Sequence, residues 1–211
     1  MTDTTPSPNK LTILISGGSD GLGKDMARKL SLLNQVIILS HNLEKLESTS
    51  KEVGCDFVEA DVSNYSSVEK AVDTVLNKYQ KIDVLINNAG IWTEGDIETN
   101  GPDKIQEILD VNTLGTIYLS KAVIPSMKSG KSGRIINIIS QDGLASKKSH
   151  SVYCASKWAI TGFTKCLQLD LSDYHIGVTG IYPGLMNTTL FEKQGVKRDL
   201  NSALKLSEVT S

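Results

Sequence analysis

Short apolar runs alternate with longer stretches of helical period along most of the chain. The runs at 11–16, 36–40, 56–60, 84–87, 134–140 and 177–182 predict six strands. Between them the spacing predicts helices over 21–33, 43–53, 66–79, 102–127 and 151–171. In the third of these, Val68, Val72, Val75 and Leu76 fall on one face. The strands do not alternate polar with apolar: Val36-Ile37-Ile38-Leu39 is apolar without a break. A strand that is apolar on both faces is buried on both, so helices must pack on each side of a parallel sheet. The expected fold class is α/β, a doubly wound parallel sheet in three αβα layers. No internal repeat, low-complexity tract or linker divides the chain, so one domain is expected over 11–211. Residues 1–10 are polar with two prolines and are expected to form a disordered tail.

Composition narrows the setting. A chain of 211 residues has enough sequence for one substantial core, and 39% hydrophobic with 22% charged residues is ordinary for a globular protein. A formal net charge of −2 supplies no strong field for nucleic acid or an anionic membrane surface. The sequence shows neither a long apolar span nor the apolar centre of a signal peptide, and a cytoplasmic protein is expected. Cys55, Cys154 and Cys166 are an odd, widely spaced set, read as reduced thiols rather than a disulfide framework or zinc site. The three histidines lack ligand spacing, so no metal is expected, and no Gly-x-Ser-x-Gly elbow suggests acyl-serine hydrolysis.

Candidate chemistry centres on Tyr153-Cys154-Ala155-Ser156-Lys157, with Ser140 thirteen residues before the tyrosine. A tyrosine and a lysine four apart on a helix project from the same face. A phenol titrates near pH 10, and a neighbouring ammonium favours its ionised form. Bringing it to about 7 takes about 4 kcal/mol of differential stabilisation. A serine hydroxyl nearby would hold the substrate oxygen that this phenol protonates or deprotonates. The pattern proposes a proton-transfer site for interconverting an alcohol and a carbonyl. Taken alone, Tyr-x-x-x-Lys is more often a half-buried tyrosine beside a solvated lysine; here only one of six tyrosines has a lysine at that spacing. Cys154 sits beside the tyrosine, but adjacent helical positions point in different directions, which disfavours a catalytic thiol.

Other motifs point to the same chemistry. Ser16-Gly17-Gly18-Ser19-Asp20-Gly21-Leu22-Gly23 falls between the first strand and the first helix. Glycines there let backbone amides approach a pyrophosphate, and the helix offers it the positive end of its dipole. Asn87-Asn88-Ala89-Gly90 ends the fourth strand, where open parallel sheets bind ligands, although a plain strand-ending turn has the same composition. Asp61-Val62, ending the third strand, offers an acceptor or amide to an adenine edge, or merely caps the next helix.

Ser-Gly-x-x-x-Gly-Leu-Gly, Asn-Asn-Ala-Gly, Ser140, Tyr-x-x-x-Lys and Pro183-Gly184 occur here in the order and spacing of the short-chain dehydrogenase/reductases, which the chain resembles over about 11–189. The resemblance implies a Rossmann-type domain that binds NAD or NADP. It places Gly17, Ser19, Asp20, Gly21, Leu22 and Gly23 at the phosphate turn, with Asp61 and Val62 near adenine. Asn88, Ala89 and Gly90 would border the ribose. Pro183, Gly184 and Leu185 would pass the nicotinamide, with Thr188 beside its carboxamide or the diphosphate. Ser16 stands where the family usually has threonine and keeps the hydroxyl. Tyr153 would be the general acid or base and Ser140 would orient the carbonyl. Lys157 would lower the phenol's pKa and bond the nicotinamide ribose, so that Tyr153 and Lys157 also count among the cofactor contacts. Asn112, which helical context alone would leave as surface filler, corresponds to the family's active-site asparagine and would hold a water connecting Lys157 to solvent.

Ser40, His41 and Asn42 end the second strand without the acid that would select NAD, and His41 stands where many NADP-using relatives carry arginine. Asp20 argues the other way, and the balance favours NADP over NAD. Substrate walls are expected at 91–101, 141–152 and 185–198, with Trp92 as a candidate lining residue or a plain packing aromatic. Lys147-Lys148 is either an attraction for an anionic substrate or an exposed loop. The expected function is oxidoreduction between a secondary alcohol and a ketone, of the ketone- or 3-oxoacyl-reductase kind. The alternatives are a noncatalytic dinucleotide-binding regulatory protein or inactive truncated family member, and an epimerase or dehydratase sharing the Tyr-Lys pair. The resemblance also implies a homodimer or homotetramer built on the long helices. Leu206-Ser207-Glu208-Val209 reads as the start of a further helix, and relatives continue into a seventh strand, so the C-terminal part is expected to be incomplete.

Overall fold

The computed structural model describes residues 10–188, 200, 203–206 and 210. Most of the expected tail at 1–10 and most of the expected helix at 206–209 lie outside the described residues. Six strands, β1 (Thr12–Ser16), β2 (Gln35–Ser40), β3 (Asp56–Glu59), β4 (Val84–Asn87), β5 (Gly133–Ile138) and β6 (Ile176–Ile181), form one parallel sheet in the order β3-β2-β1-β4-β5-β6. The helices are α1 (Gly21–Leu30), α2 (Leu43–Val53), α3 (Tyr65–Tyr79), α4 (Pro102–Ile108), α5 (Gly115–Gly130) and α6 (Ser151–Asp170). This is the doubly wound, Rossmann-type arrangement that the apolar runs predict.

The unbroken apolar strands are sorted by the two-residue period of the pleat. Ile13, Ile15, Val36, Ile38, Val84 and Ile86 face α1 and α2, where they pack with Ala27 and Leu46. Their neighbours Leu14, Ile37, Leu39, Leu85 and Ile135 face the other layer and meet Val68, Val72, Leu119, Val123 and Leu167 from α3, α5 and α6. Helix starts follow local chemistry: Asp20, Asn42 and Asn64 cap α1, α2 and α3 with side-chain oxygens that accept from Gly21, Lys45 and Ser67 N–H groups.

Two expected helices differ from those observed. The first ends at Leu30 rather than at 33, because Ser31 closes it; Leu32 and Leu33, whose apolarity extends the sequence pattern, are exposed. The single helix expected over 102–127 is three segments: α4, a π-helical turn at Leu109–Leu114, and α5. Hydrophobic spacing does not register such a turn, because the residues on either side keep helical dihedrals. The strand ends shift by one or two residues, β5 finishing at Ile138 before Ser140.

Buried polar groups tie β4 to β5. Asn87 and Asn137 are register partners; Asn87 Nδ2 donates to Asn137 Oδ1 (2.9 Å) and to Ser120 Oγ (3.1 Å), and Asn137 Nδ2 donates to Thr164 Oγ1 (2.8 Å). Replacing the fully buried Asn137 by alanine removes both of its partners' bonds and should cost about 2–3 kcal/mol. Urea denaturation of Asn137→Ala against the parent chain measures that loss.

Candidate active site

Strand order reverses between β1 and β4, which leaves a crevice beyond their carboxyl ends. Ser16, the last residue of β1, closes the base of this crevice. Its Oγ accepts from the backbone N–H groups of Asn88 (3.0 Å) and Ala89 (3.1 Å). In return, Asn88 Nδ2 donates to the carbonyls of Ser16 (3.0 Å) and Gly17 (3.2 Å). The hydroxyl explains why serine serves where the resemblance expects threonine. Glycine is required at two positions above it. Gly17 has φ +64°, and a Cβ there would lie 2.9 Å from Ala89 Cα; at Gly23 a Cβ would lie 2.2 Å from the Gly17 carbonyl oxygen.

Past this turn a cleft of about 280 Å³ runs along the start of α1, lined by Asp20, Gly21, Lys24, Arg28 and Thr188 among others. Leu22 and Ser19 are buried beneath it. These residues fit a dinucleotide's phosphates: a helix N-terminus, backbone stripped of side chains, and cations on one wall. Lys24 and Arg28 are each held by Glu52, at 2.7 and 2.6 Å.

The expected adenosine-side residues are more dispersed. Ser40, His41, Asn42, Asp61 and Val62 follow the carboxyl ends of β2 and β3 but line neither this cleft nor the cavity described below. Asn42 Oδ1 caps α2, and Asp61 Oδ1 accepts from the N–H and hydroxyl of Ser63. Val62 turns inward against Gly115. Asp20 accepts from its own helix at Gly21 N, and its other oxygen is 3.4 Å from Lys45 Nζ. Lys45 is a cation beside the glycine turn that the sequence reading did not single out; the signal available was its place three residues after Asn42.

Ser140, Tyr153 and Lys157 converge at the carboxyl end of β5. Ser140 follows the strand and opens the short turn Gln141–Gly143, which fixes its hydroxyl: Oγ accepts from Asp142 N at 3.1 Å. Tyr153 and Lys157 lie one helical turn apart on the buried face of α6, 8% and 6% exposed. The lysine Nζ stands 5.7 Å from the centre of the tyrosine ring and donates to the Ile138 carbonyl at 3.4 Å. A cavity of about 70 Å³ opens beside the tyrosine, lined by Trp92, Ser140, His150, Tyr153 and Leu185 and by Pro183, Gly184 and Thr188. Thr188 borders both this cavity and the cleft at Gly21, so one loop joins the two. Of the expected walls, 189–198 lie outside the described residues.

Asn112 is not surface filler. The π-helical turn carries it inward to 1% exposure, where its amide clamps Ile91: Oδ1 accepts from Ile91 N (2.8 Å), while Nδ2 donates to Ile91 O (2.9 Å) and Ser156 Oγ (3.1 Å). Gly90 lies between, its missing Cβ 3.3 Å from Asn112 Oδ1 and 3.6 Å from Lys157 Nζ.

Burial dominates the electrostatics. It pushes the Tyr153 phenol well above its ordinary value, opposed by the Ser140 hydrogen bond and reinforced by the charges of Asp142 and Cys154. Burial also pushes the Lys157 ammonium down to about 8. Burial, rather than the lysine, is the largest influence on the phenol here. Desolvation penalises the charged form of both groups, so the phenol holds its proton more firmly while the ammonium loses its own more easily. Cys154 is raised by burial and by Asp142, which makes it an unreactive thiol.

The short-chain dehydrogenase family model matches residues 11–199. A trans-4-hydroxycyclohexanecarboxylate dehydrogenase from Sinomonas cyclohexanicum is 34% identical over 197 residues, covering 88% of this chain and 75% of that protein. A 3-ketodihydrosphingosine reductase from Bacteroides thetaiotaomicron is 32% identical over 185 residues, covering 87% and 67%. Among solved structures, an actinorhodin polyketide ketoreductase variant with NADPH superimposes with a TM-score of 0.89 at 26% identity, covering 98% of this chain and 89% of that one. A metagenomic short-chain oxidoreductase in complex with NADP gives 0.78 at 29% identity, covering 82% and 81%. With a Rossmann-type sheet, a glycine turn at its crevice and a match across nearly its whole length, the chain belongs to the short-chain dehydrogenase family and is an NAD(P)-dependent oxidoreductase acting on CH–OH and C=O groups.

Proposed function

We propose that the protein reduces a ketone to a secondary alcohol, with Tyr153 as proton donor, Ser140 holding the carbonyl oxygen and NADP as the preferred cofactor. The observation that carries this reading is the meeting of Ser140 and Tyr153 on one cavity whose loop also borders the phosphate cleft, with Lys157 one helical turn from the tyrosine. The nicotinamide, when bound, supplies the hydride to the carbonyl carbon. Tyr153 then gives its proton to the oxygen, and Ser140 polarises that oxygen by donating to it. The phenol keeps its proton at neutral pH, the form that a proton donor needs. Lys157, on the same face and next to Gly90, is placed to bond the ribose and to restore the proton. Asn112 holds the Ile91 loop beside it, and a water path from Lys157 to solvent would run along this side. Lys45 beside Asp20 supports the preference for NADP: it offsets the one carboxylate that would repel a 2′-phosphate.

Trp92, Leu185 and Met186 make the cavity partly apolar, and Lys147 adds a cation to its wall. A cyclic or acyl ketone bearing a distal anionic group suits this lining, in keeping with the cyclohexanecarboxylate named for one relative. A second copy of the chain is the proposed partner: Ala155, Trp158, Ala159, Gly162 and Leu169 form an exposed face of α6, with Trp158 51% exposed. Three widely separated free cysteines suit a reducing compartment, the cytoplasm in this reading.

Four outcomes are expected. A panel of cyclic and 3-oxoacyl ketones followed by reduced-cofactor absorbance should show turnover with NADPH above NADH. Tyr153→Phe should lower kcat at least about a thousandfold while cofactor affinity, read by fluorescence titration, changes little; activity retained in that variant would reject the assignment. Lys157→Met should abolish turnover yet raise the melting temperature, because it removes a buried charge. Below the folded value of about 8 the lysine is charged both folded and unfolded, and its full desolvation cost is present. Between there and its ordinary 10.5 the folded group is neutral, so the melting advantage of Lys157→Met should shrink as pH rises through that window. Finally, Trp158→Glu should elute as a monomer in light-scattering chromatography with an unchanged circular dichroism spectrum, whereas a monomeric parent chain would remove the proposed interface.

A further inference from the structure

The wall of the cavity beside Tyr153 carries a buried pair that the proton transfer does not itself use. Asp142 and His150 are 7% and 2% exposed, and Asp142 Oδ2 lies 2.7 Å from His150 Nδ1. Each belongs to an element that carries a reacting group. Asp142 is in the turn opened by Ser140, and its N–H donates to the Ser140 hydroxyl at 3.1 Å. His150 is the N-cap residue of α6, three positions before Tyr153, and its carbonyl accepts from Cys154 N at 2.8 Å. With Asp142 ionised, Nδ1 is the donor, which fixes the tautomer and the plane of the ring. The ring edge rests on Trp92 at 5.6 Å between centroids, and Nε2 lies 3.9 Å from Glu94 Oε2. A second bond joins the same two elements lower down, from Thr161 Oγ1 to the Gly143 carbonyl at 2.9 Å.

We infer that Asp142 and His150 are a positioning pair that locks the Ser140 turn to the start of the Tyr153 helix. The inference rests on Tyr153 being the proton donor. Apart from the pair, the turn and the helix meet through the hydrogen bond between Ser140 and Tyr153 and, further along α6, through Thr161 and the packing around Gly143. The carboxylate has a second effect. After burial, its negative charge is the next influence that opposes ionisation of Tyr153. The charged and titratable groups around the phenol are Asp142 from the turn, His150, Cys154 and Lys157 from α6, Lys147 from the loop before α6, and Glu94 from the loop after β4.

The test measures kcat and KM against pH in both directions on a ketone–alcohol couple that the parent chain turns over with NADP(H). The variants are Asp142→Asn, His150→Phe and His150→Asn, with Tyr153→Phe as reference. Reduction needs the protonated phenol and oxidation the ionised one. Removing the charge at 142 should therefore move the alkaline fall of reduction and the rise of oxidation to lower pH, by about half a unit. His150→Phe keeps a ring against Trp92 but has no donor, and should lower kcat by about tenfold with a smaller change in KM. His150→Asn places an amide donor near Nδ1 and should recover most of that loss. A purely structural pair would change the melting temperature of these variants without moving the pH limbs. Unmoved limbs in Asp142→Asn together with parental kcat in His150→Phe overturn the pairing if Tyr153→Phe is inactive. An active Tyr153→Phe overturns the reading of Tyr153 beneath it instead.

Discussion

Everything in the upper half of the molecule is hung from the bonds that Ser16 and Asn88 exchange where the strand order reverses. Parallel strands end in divergent loops, and at the reversal two such loops leave the sheet in opposite directions with unpaired backbone groups. One hydroxyl takes two N–H groups and one amide takes two carbonyls, so the glycine turn and the Asn88–Ala89 backbone are held at fixed separation. An apolar residue at 16 would strand both donors at about 1–3 kcal/mol each. The separation also sets the height of Gly90, the residue against which Lys157 and Asn112 come to rest. A contact in the cofactor half thus fixes the floor of the reacting half.

That floor is dry, and dryness shapes the chemistry more than pairing does. The intuitive view of a tyrosine beside a lysine is mutual stabilisation of phenolate and ammonium. Here the two are 5.7 Å apart by ring centre and both lose solvent, so each is driven toward neutrality. The result at neutral pH is a phenol that keeps its proton beside an amine that remains largely charged.

The sheet was legible because burial on both faces leaves an unmistakable mark: Val36-Ile37-Ile38-Leu39 has no polar break, and its alternate residues indeed serve two different core layers. The Tyr-Lys spacing was legible for the same reason, since helical pitch alone puts both on one face. What the sequence concealed depends on departures from pitch or on contacts across the fold. Leu32 and Leu33 extended a helical stripe that the chain had already left. Spacing alone left Asn112 solvent-facing, because it reads as unbroken α-helix, and only the family resemblance drew it to the site. The bond between Asp142 and His150 joins residues eight apart in different elements, a pairing no periodicity encodes. Lys45 lay in a charged helix whose other lysines and glutamates carry no such contact with the glycine turn, so nothing in composition marked it.

Three irregular segments meet around Lys157: the loop at 88–91, the π-helical turn with Asn112, and the turn after Ser140. Regular elements could not supply this. A helix offers side chains at a pitch of about 3.6 residues and a strand at 2, and neither lets one amide reach both backbone groups of a neighbouring loop. The π-helical turn admits the extra residue that swings Asn112 inward, and in doing so it joins α4, α6 and the β4 loop through one side chain. The irregularity is stable only because Asn112 finds three partners in a dry interior, each bond stronger there than in water. Site and distortion therefore hold each other in place, and the polar grip at Ile91 fixes the loop whose next residue, Trp92, walls the cavity.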